Sequence, residues 1–127
     1  MALIIKDQER ARRAYTLVEG IKKKQRDYKT TLNALGGNII RLGLSAALAE
    51  LQRREKLGGQ EVLEHMAQVL KEANLPGLGD DVTAENLVKK INALNAEDYM
   101  LATREVMAHL AWFRRAVQAL SKDEEAA

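Results

Sequence analysis

Apolar residues recur along this chain at three- and four-residue steps, the spacing of a helix that buries one face. No stretch shows the alternation of a half-buried strand. Ala11, Ala14, Tyr15, Val18 and Ile21 make the first stripe and predict a helix from about Gln8 to Asp27, with Asp7 as its N-cap. Gly20 inside it is a local cost of roughly 1 kcal/mol against alanine. A short helical stretch from Lys29 to Leu35 should stop at Gly36-Gly37. The next helix, from about Asn38 to Glu55, is apolar nearly all round through Ile39, Ile40, Leu42, Leu44, Leu48 and Leu51, a pattern that belongs in the middle of a bundle.

Gly58-Gly59 breaks the chain again, and Val62, Leu63, Met66, Val69, Leu70 and Ala73 stripe a helix from about Gln60 to Asn74. Leu75 to Val82, with Pro76, Gly77, Gly79 and an Asp pair, reads as the clearest loop. Thr83 is placed to cap a short helix to about Leu94. Asn95 is placed to cap a last helix to about Leu120, with Glu97 and Asp98 near its positive end. That last helix carries two apolar faces, Ala102-Val106-Leu110-Phe113-Val117-Leu120 and Leu101-Ala108-Trp112-Ala119. It is therefore either fully central or meets another subunit through Trp112, with Arg104 and Arg115 aligned eleven residues apart.

Composition agrees with helix. Of 127 residues 46% are apolar, only one is proline, and the glycines cluster at the predicted breaks. The length fits a single domain spanning 1–127, an all-α antiparallel bundle of five to six helices, with an acidic tail from about 121 expected to be flexible. With no cysteine, disulfides, thiolate metal sites and cysteine nucleophiles are excluded. No apolar run approaches the ~18–20 residues that span a bilayer, and the apolar start is too short for a signal peptide, so a cytoplasmic protein with no membrane partner is expected.

Enzyme signatures are missing: no phosphate loop, no dinucleotide fingerprint, no nucleophile elbow and no H-E-x-x-H. Glu61 and Glu105 precede His65 and His109 by four residues, not the three of a di-metal bundle site, so neither metal nor cofactor is expected. The distinctive chemistry is electrostatic. Residues 1–56 carry a net charge of +7, residues 57–98 carry −5, and residues 99–127 carry none. Lys22, Lys23, Lys24, Arg26 and Lys29 concentrate cations around a single acid, Asp27. On a continuous first helix Arg12, Lys23 and Arg26 would share one flank, and Arg41 sits on the narrow polar strip of the next helix. Such residues bind phosphate oxygens without reading sequence. The few aromatics mostly occupy core spacing, so any RNA contact should be salt-dependent and mainly to the backbone.

Several stretches in order resemble a known family. These are Gln8-Glu9-Arg10-Ala11-Arg12-Arg13-Ala14-Tyr15, then Tyr28, then Ile39-Ile40-Arg41-Leu42-Gly43-Leu44, then Tyr99-Met100-Leu101-Ala102-Thr103-Arg104-Glu105, and finally Trp112-Phe113-Arg114-Arg115-Ala116. Together they are similar to the small helical subunit of the type III-B CRISPR (Cmr) RNA-targeting complex. The resemblance implies a non-catalytic scaffold whose copies stack head to tail along the guide RNA–target RNA path, beside other Cmr subunits, in antiviral defence. On that view Arg12, Lys22, Lys23, Lys24, Arg26, Lys29 and Arg41 face RNA, and Trp112, Arg104 and Arg115 meet a neighbouring subunit. Two alternatives are also compatible with the sequence: a helical interaction module with no nucleic-acid role, and the equivalent small subunit of a type III-A (Csm) complex.

Overall fold

The computed structural model describes residues 6–21 and 25–126, with side chains over 6–21 and 26–120. The described residues hold six α-helices and no strand, in agreement with the all-α bundle that the composition predicts. The helices are α1 (Lys6–Glu19), α2 (Gln25–Leu42), α3 (Leu44–Arg53), α4 (Gly59–Ala73), α5 (Leu87–Asn92) and α6 (Ala96–Ala126). A short 3-10 turn, Glu55–Leu57, joins α3 to α4. The core gathers Leu32 and Leu35 of α2, Leu44 and Leu48 of α3, and Leu63, Met66 and Leu70 of α4 around Val106, Leu110 and Phe113 of α6.

Several helix boundaries differ from the sequence reading. The last helix, expected to end near Leu120, runs on to Ala126 through the acidic stretch. The first helix ends at Glu19 rather than near Asp27, closed by tight turns from Gly20 N to Leu17 O at 3.2 Å and from Ile21 N to Val18 O at 3.0 Å. Arg12 and Arg26 therefore stand on different helices, and the single flank expected for Arg12, Lys23 and Arg26 does not form. Gly36-Gly37 stops nothing: α2 runs straight through it. Neither residue takes a positive φ, and a side chain on Gly36 would come within 3.9 Å of Leu110 Cδ1, which is where α6 approaches.

The break falls instead at Gly43, whose φ of +90° a residue with a β-carbon rarely adopts. The predicted central helix is thereby split into α2 and α3, and it is not buried all round. Ile40 is 76% and Leu42 60% exposed, while Leu44, Ala47, Leu48 and Leu51 face the core. Gly58-Gly59 breaks the chain as expected and for two reasons. Gly58 has a φ of +87°. A β-carbon on Gly59 would run into Leu51 O and lie 2.6 Å from Arg54 O, so only glycine lets α4 start so close to the end of α3.

Of the three predicted caps only Asn95 caps its helix: Asp7 lies inside the first turn of α1, and Thr83 closes a turn ahead of α5, which starts at Leu87 with Asn86 as its N-cap. Asn95 Oδ1 accepts from Asp98 N at 2.8 Å at the head of α6. Thr83 and Asn86 exchange backbone-to-side-chain hydrogen bonds of 2.8 and 3.2 Å before α5. A further cap joins distant parts of the chain: Ser45 N, in the first turn of α3, donates to the Tyr99 hydroxyl of α6 at 2.9 Å. Close approaches at Gly43–Tyr99 and Gly36–Leu110 show α2 and α6 running antiparallel. Where α1 meets α6 the two rise together, with Arg10 beside Glu105 and Arg13 beside His109.

Candidate nucleic-acid interface

The α1–α6 seam is the first place where cations cluster, and it is neutralised. Arg10 grips Glu105 with two parallel hydrogen bonds of 3.2 and 3.1 Å and also reaches Asp7 at 3.4 Å. The Glu105 hydrogen bond chiefly holds the Arg10 guanidinium above its ordinary range. Burial works to raise the Glu105 carboxyl, but the Arg10 hydrogen bond and charge outweigh it and leave that group below the usual carboxylate range. Arg13 forms a short ion pair with Glu72 of α4 and lies 2.9 Å from His109 Nε2.

His109 is fully buried. Its Nδ1 meets the Glu105 carbonyl oxygen at 3.0 Å, and a carbonyl only accepts, so Nδ1 carries the proton and Nε2 accepts from Arg13. Burial chiefly pushes the His109 pKa down and keeps the ring neutral. These groups bind α1 to the bundle and leave little charge for a ligand. Arg12 is exposed and without an ion pair among the described residues, but it shares a shallow recess with Glu9, Arg13, Thr16 and Glu72.

On α2 the picture reverses. Arg26, Lys29, Thr30, Asn33, Gly37, Ile40 and Arg41 are all exposed. At 100° per residue they fall within a single open arc. None of Arg26, Lys29 and Arg41 forms an ion pair among the described residues; Arg41 donates to Asn38 Oδ1 at 2.6 Å, a neutral partner. Lys22, Lys23 and Lys24 lie outside the described residues and directly precede α2 in sequence.

α6 also has an open arc: Glu97, Met100, Leu101, Arg104, Ala111, Arg114, Arg115 and Gln118 are exposed. The predicted alternative of a fully central last helix is therefore wrong. Its inner face, Ala102, Val106, His109, Leu110, Phe113 and Val117, is buried; Ala108, Trp112 and Ala119 of the second face are partly so, and Leu101 is exposed. α1, α2 and α4 are the helices that cover α6.

Antiparallel pairing then orders both arcs along one axis. Gly43 lies against the Tyr99 hydroxyl and Gly36 against the Leu110 side chain, so the start of α2, with Arg26 and Lys29, lies toward the C-terminal half of α6, and Arg41 toward its beginning. Two ends of different character result. One end carries Arg26, Lys29, Arg114 and Arg115, with Arg115 Cζ over the Trp112 ring at 4.6 Å from its centroid. The other carries the exposed apolar residues Ile40, Leu42, Met100 and Leu101, bordered by Arg41 and Arg104. The structure thus separates Trp112 and Arg115 from Arg104 along the helix.

Arg114 escaped the sequence reading. The zero net charge of residues 99–127 concealed it, because Asp123, Glu124 and Glu125 at the extreme end balance arginines that stand elsewhere on the helix. Among the described residues no group of His, Asp and Glu is arranged to hold a metal ion, and no helix is long and apolar enough to cross a membrane.

A family model described as CRISPR-associated protein (Cas_Cmr5) matches residues 6–120. Among solved structures, the X-ray crystal structure of a CRISPR-associated Cmr5 family protein from Thermus thermophilus matches with a TM-score of 0.75 and 26% sequence identity, over 92% of this chain and 98% of that one. No curated protein matches.

Proposed function

The chain belongs to the Cas_Cmr5 family of CRISPR-associated proteins, and on that premise we propose that it is the small, non-catalytic subunit of a type III-B (Cmr) effector particle, lying along the guide RNA–target RNA path and holding phosphate backbone. The observation that carries this reading is the contrast between two sets of cations. On α1, Arg10 and Arg13 are consumed by Glu105, Asp7 and Glu72. At the α2–α6 end, Arg26, Lys29, Arg114 and Arg115 have no carboxylate partner among the described residues, on two adjacent helices. A polyanion gains most from cations that need not first give up an internal partner.

The exposed apolar end of the same two helices suits contact with a neighbouring subunit, where Ile40, Leu42, Met100 and Leu101 would leave water and Arg41 and Arg104 would rim the contact. In this reading copies meet through one end of the α2–α6 pair and RNA lies across the other. This modifies the expectation for Trp112 and Arg115, which stand at the cationic end.

The test is RNA affinity as a function of salt, read by fluorescence anisotropy of a labelled single-stranded RNA. Affinity should fall linearly on logarithmic axes, with the slope shrinking by about 0.7 for each backbone contact removed. Lys29→Ser and Arg114→Ser should each flatten it, whereas Arg53→Ser, which removes a guanidinium paired with Glu50, should not. An unchanged slope in the first two variants would remove the basis of the proposal.

A further inference from the structure

Trp112 is the sequence's only tryptophan, and the other aromatics are committed elsewhere. Tyr28 and Phe113 are buried, Tyr15 packs on the core, and the Tyr99 hydroxyl caps α3. Tyr28 and Phe113 share the cationic end of the α2–α6 pair but are buried, so Trp112 alone reaches the surface there. It is half-buried, so its ring is anchored by the core while the guanidinium of Arg115 stands over it in solvent. The exposed arginine is thereby held in place by the ring rather than by a carboxylate.

We propose that Arg115, layered on Trp112, is a stacking platform for one unpaired base of single-stranded RNA. The inference rests on the backbone-binding reading above and adds a base contact to it. A guanidinium plane presents a delocalised cationic face on which any base can stack, and that contact tolerates every sequence because each base has a π-face. The anchored ring reduces the entropy that a free arginine would lose on binding. Arg114, next in sequence, and Lys29, toward the same end of the α2–α6 pair, are exposed cations that would take the neighbouring phosphates. Simple surface packing would explain the Arg115–Trp112 pair by itself. The platform makes a further demand: the planar shape of Arg115 must matter beyond its charge.

The lone tryptophan supplies the assay. The full chain is titrated with a short single-stranded oligouridylate, with a double-stranded RNA, and with inorganic polyphosphate, which offers phosphate without bases. Trp112 emission is followed together with anisotropy-based affinity. The single strand should change Trp112 emission saturably, while polyphosphate binds without that change. Arg115→Lys keeps the charge but loses the plane; it should weaken single-strand affinity about ten-fold and leave polyphosphate affinity close to that of the parent.

If Arg115→Lys binds the single strand like the parent, or if polyphosphate and the duplex alter the emission equally, the platform is wrong and backbone binding stands. If neither RNA nor polyphosphate binds, the backbone reading fails and takes the platform with it. A concentration-dependent emission shift without RNA, unaltered when RNA is added, would assign the pair to contact between copies and overturn the proposal.

Discussion

Lowering the pH from neutral to 5 should remove about 2 kcal/mol of folding stability through one ring, His65. The ring lies on α4 with Nδ1 2.6 Å from the Tyr28 hydroxyl of α2 and its centroid 5.8 Å from that of Phe113 on α6. Tyr28 is buried and makes no other hydrogen bond among the described side chains, so its O–H donates to Nδ1. A proton arriving at Nδ1 must displace that donor in a desolvated site.

Burial, opposed only in part by the Glu61 charge, pushes the His65 pKa from 6.5 to about 4. The folded value lies below the unfolded one, so the unfolded state takes up protons first. Stability is complete above about pH 6.5 and declines as the pH falls. The loss levels off below about pH 4, at roughly 3 kcal/mol in total. Urea unfolding at pH 7.5, 6, 5 and 4.5 measures it, set against His65→Asn, whose amide oxygen can accept from Tyr28 without titrating. The variant starts less stable because asparagine is a poorer helix former. The difference between parent and variant should shrink by about 2 kcal/mol between pH 7.5 and 5. Parallel pH profiles in the two proteins would refute the reasoning. His109, also shifted down by burial, titrates in both and cancels in the comparison.

Other consequences are open to direct measurement. Gly59→Ala drives a β-carbon into Leu51 O and to 2.6 Å from Arg54 O, which neither helix end can yield without moving backbone, so a loss above about 3 kcal/mol in chemical unfolding is expected. Tyr99→Phe removes the acceptor for Ser45 N and should cost about 1 kcal/mol, while Gly36→Ala, facing Leu110 Cδ1 at 3.9 Å, should be neutral or stabilising by helix propensity. Arg13→Ala leaves the buried His109 Nε2 without a donor and should cost about 1–3 kcal/mol, visible as earlier amide exchange in α1 than in α4. Phe113→Ala empties the space between His65 and the core and should cost about 3–5 kcal/mol, read by thermal unfolding.

The periodic positions of α4 and α6, the loop after Asn74 and the cap at Asn95 are decided over a few neighbouring residues. For that reason the sequence alone predicts them: a 3.6-residue stripe and a capping side chain act over one or two turns. The all-α class and the family resemblance were legible for the same reason, since both reside in local order and spacing. The glycines were not. Gly36, Gly37 and Gly43 are the same residue in sequence, yet the first two continue a helix while the third, at a φ of +90° beside the Tyr99 hydroxyl, breaks it. Charge was equally undecided. Counting placed +7 on the front of the chain, but it is the fold that sets Glu105 against Arg10 and Glu72 against Arg13. The same fold brings Arg114 and Arg115, almost ninety residues later, toward the same end of the helix pair as Lys29. Ion pairing acts through space at a few ångströms and is blind to chain separation, so which cations remain for a polyanion was settled by the tertiary structure alone.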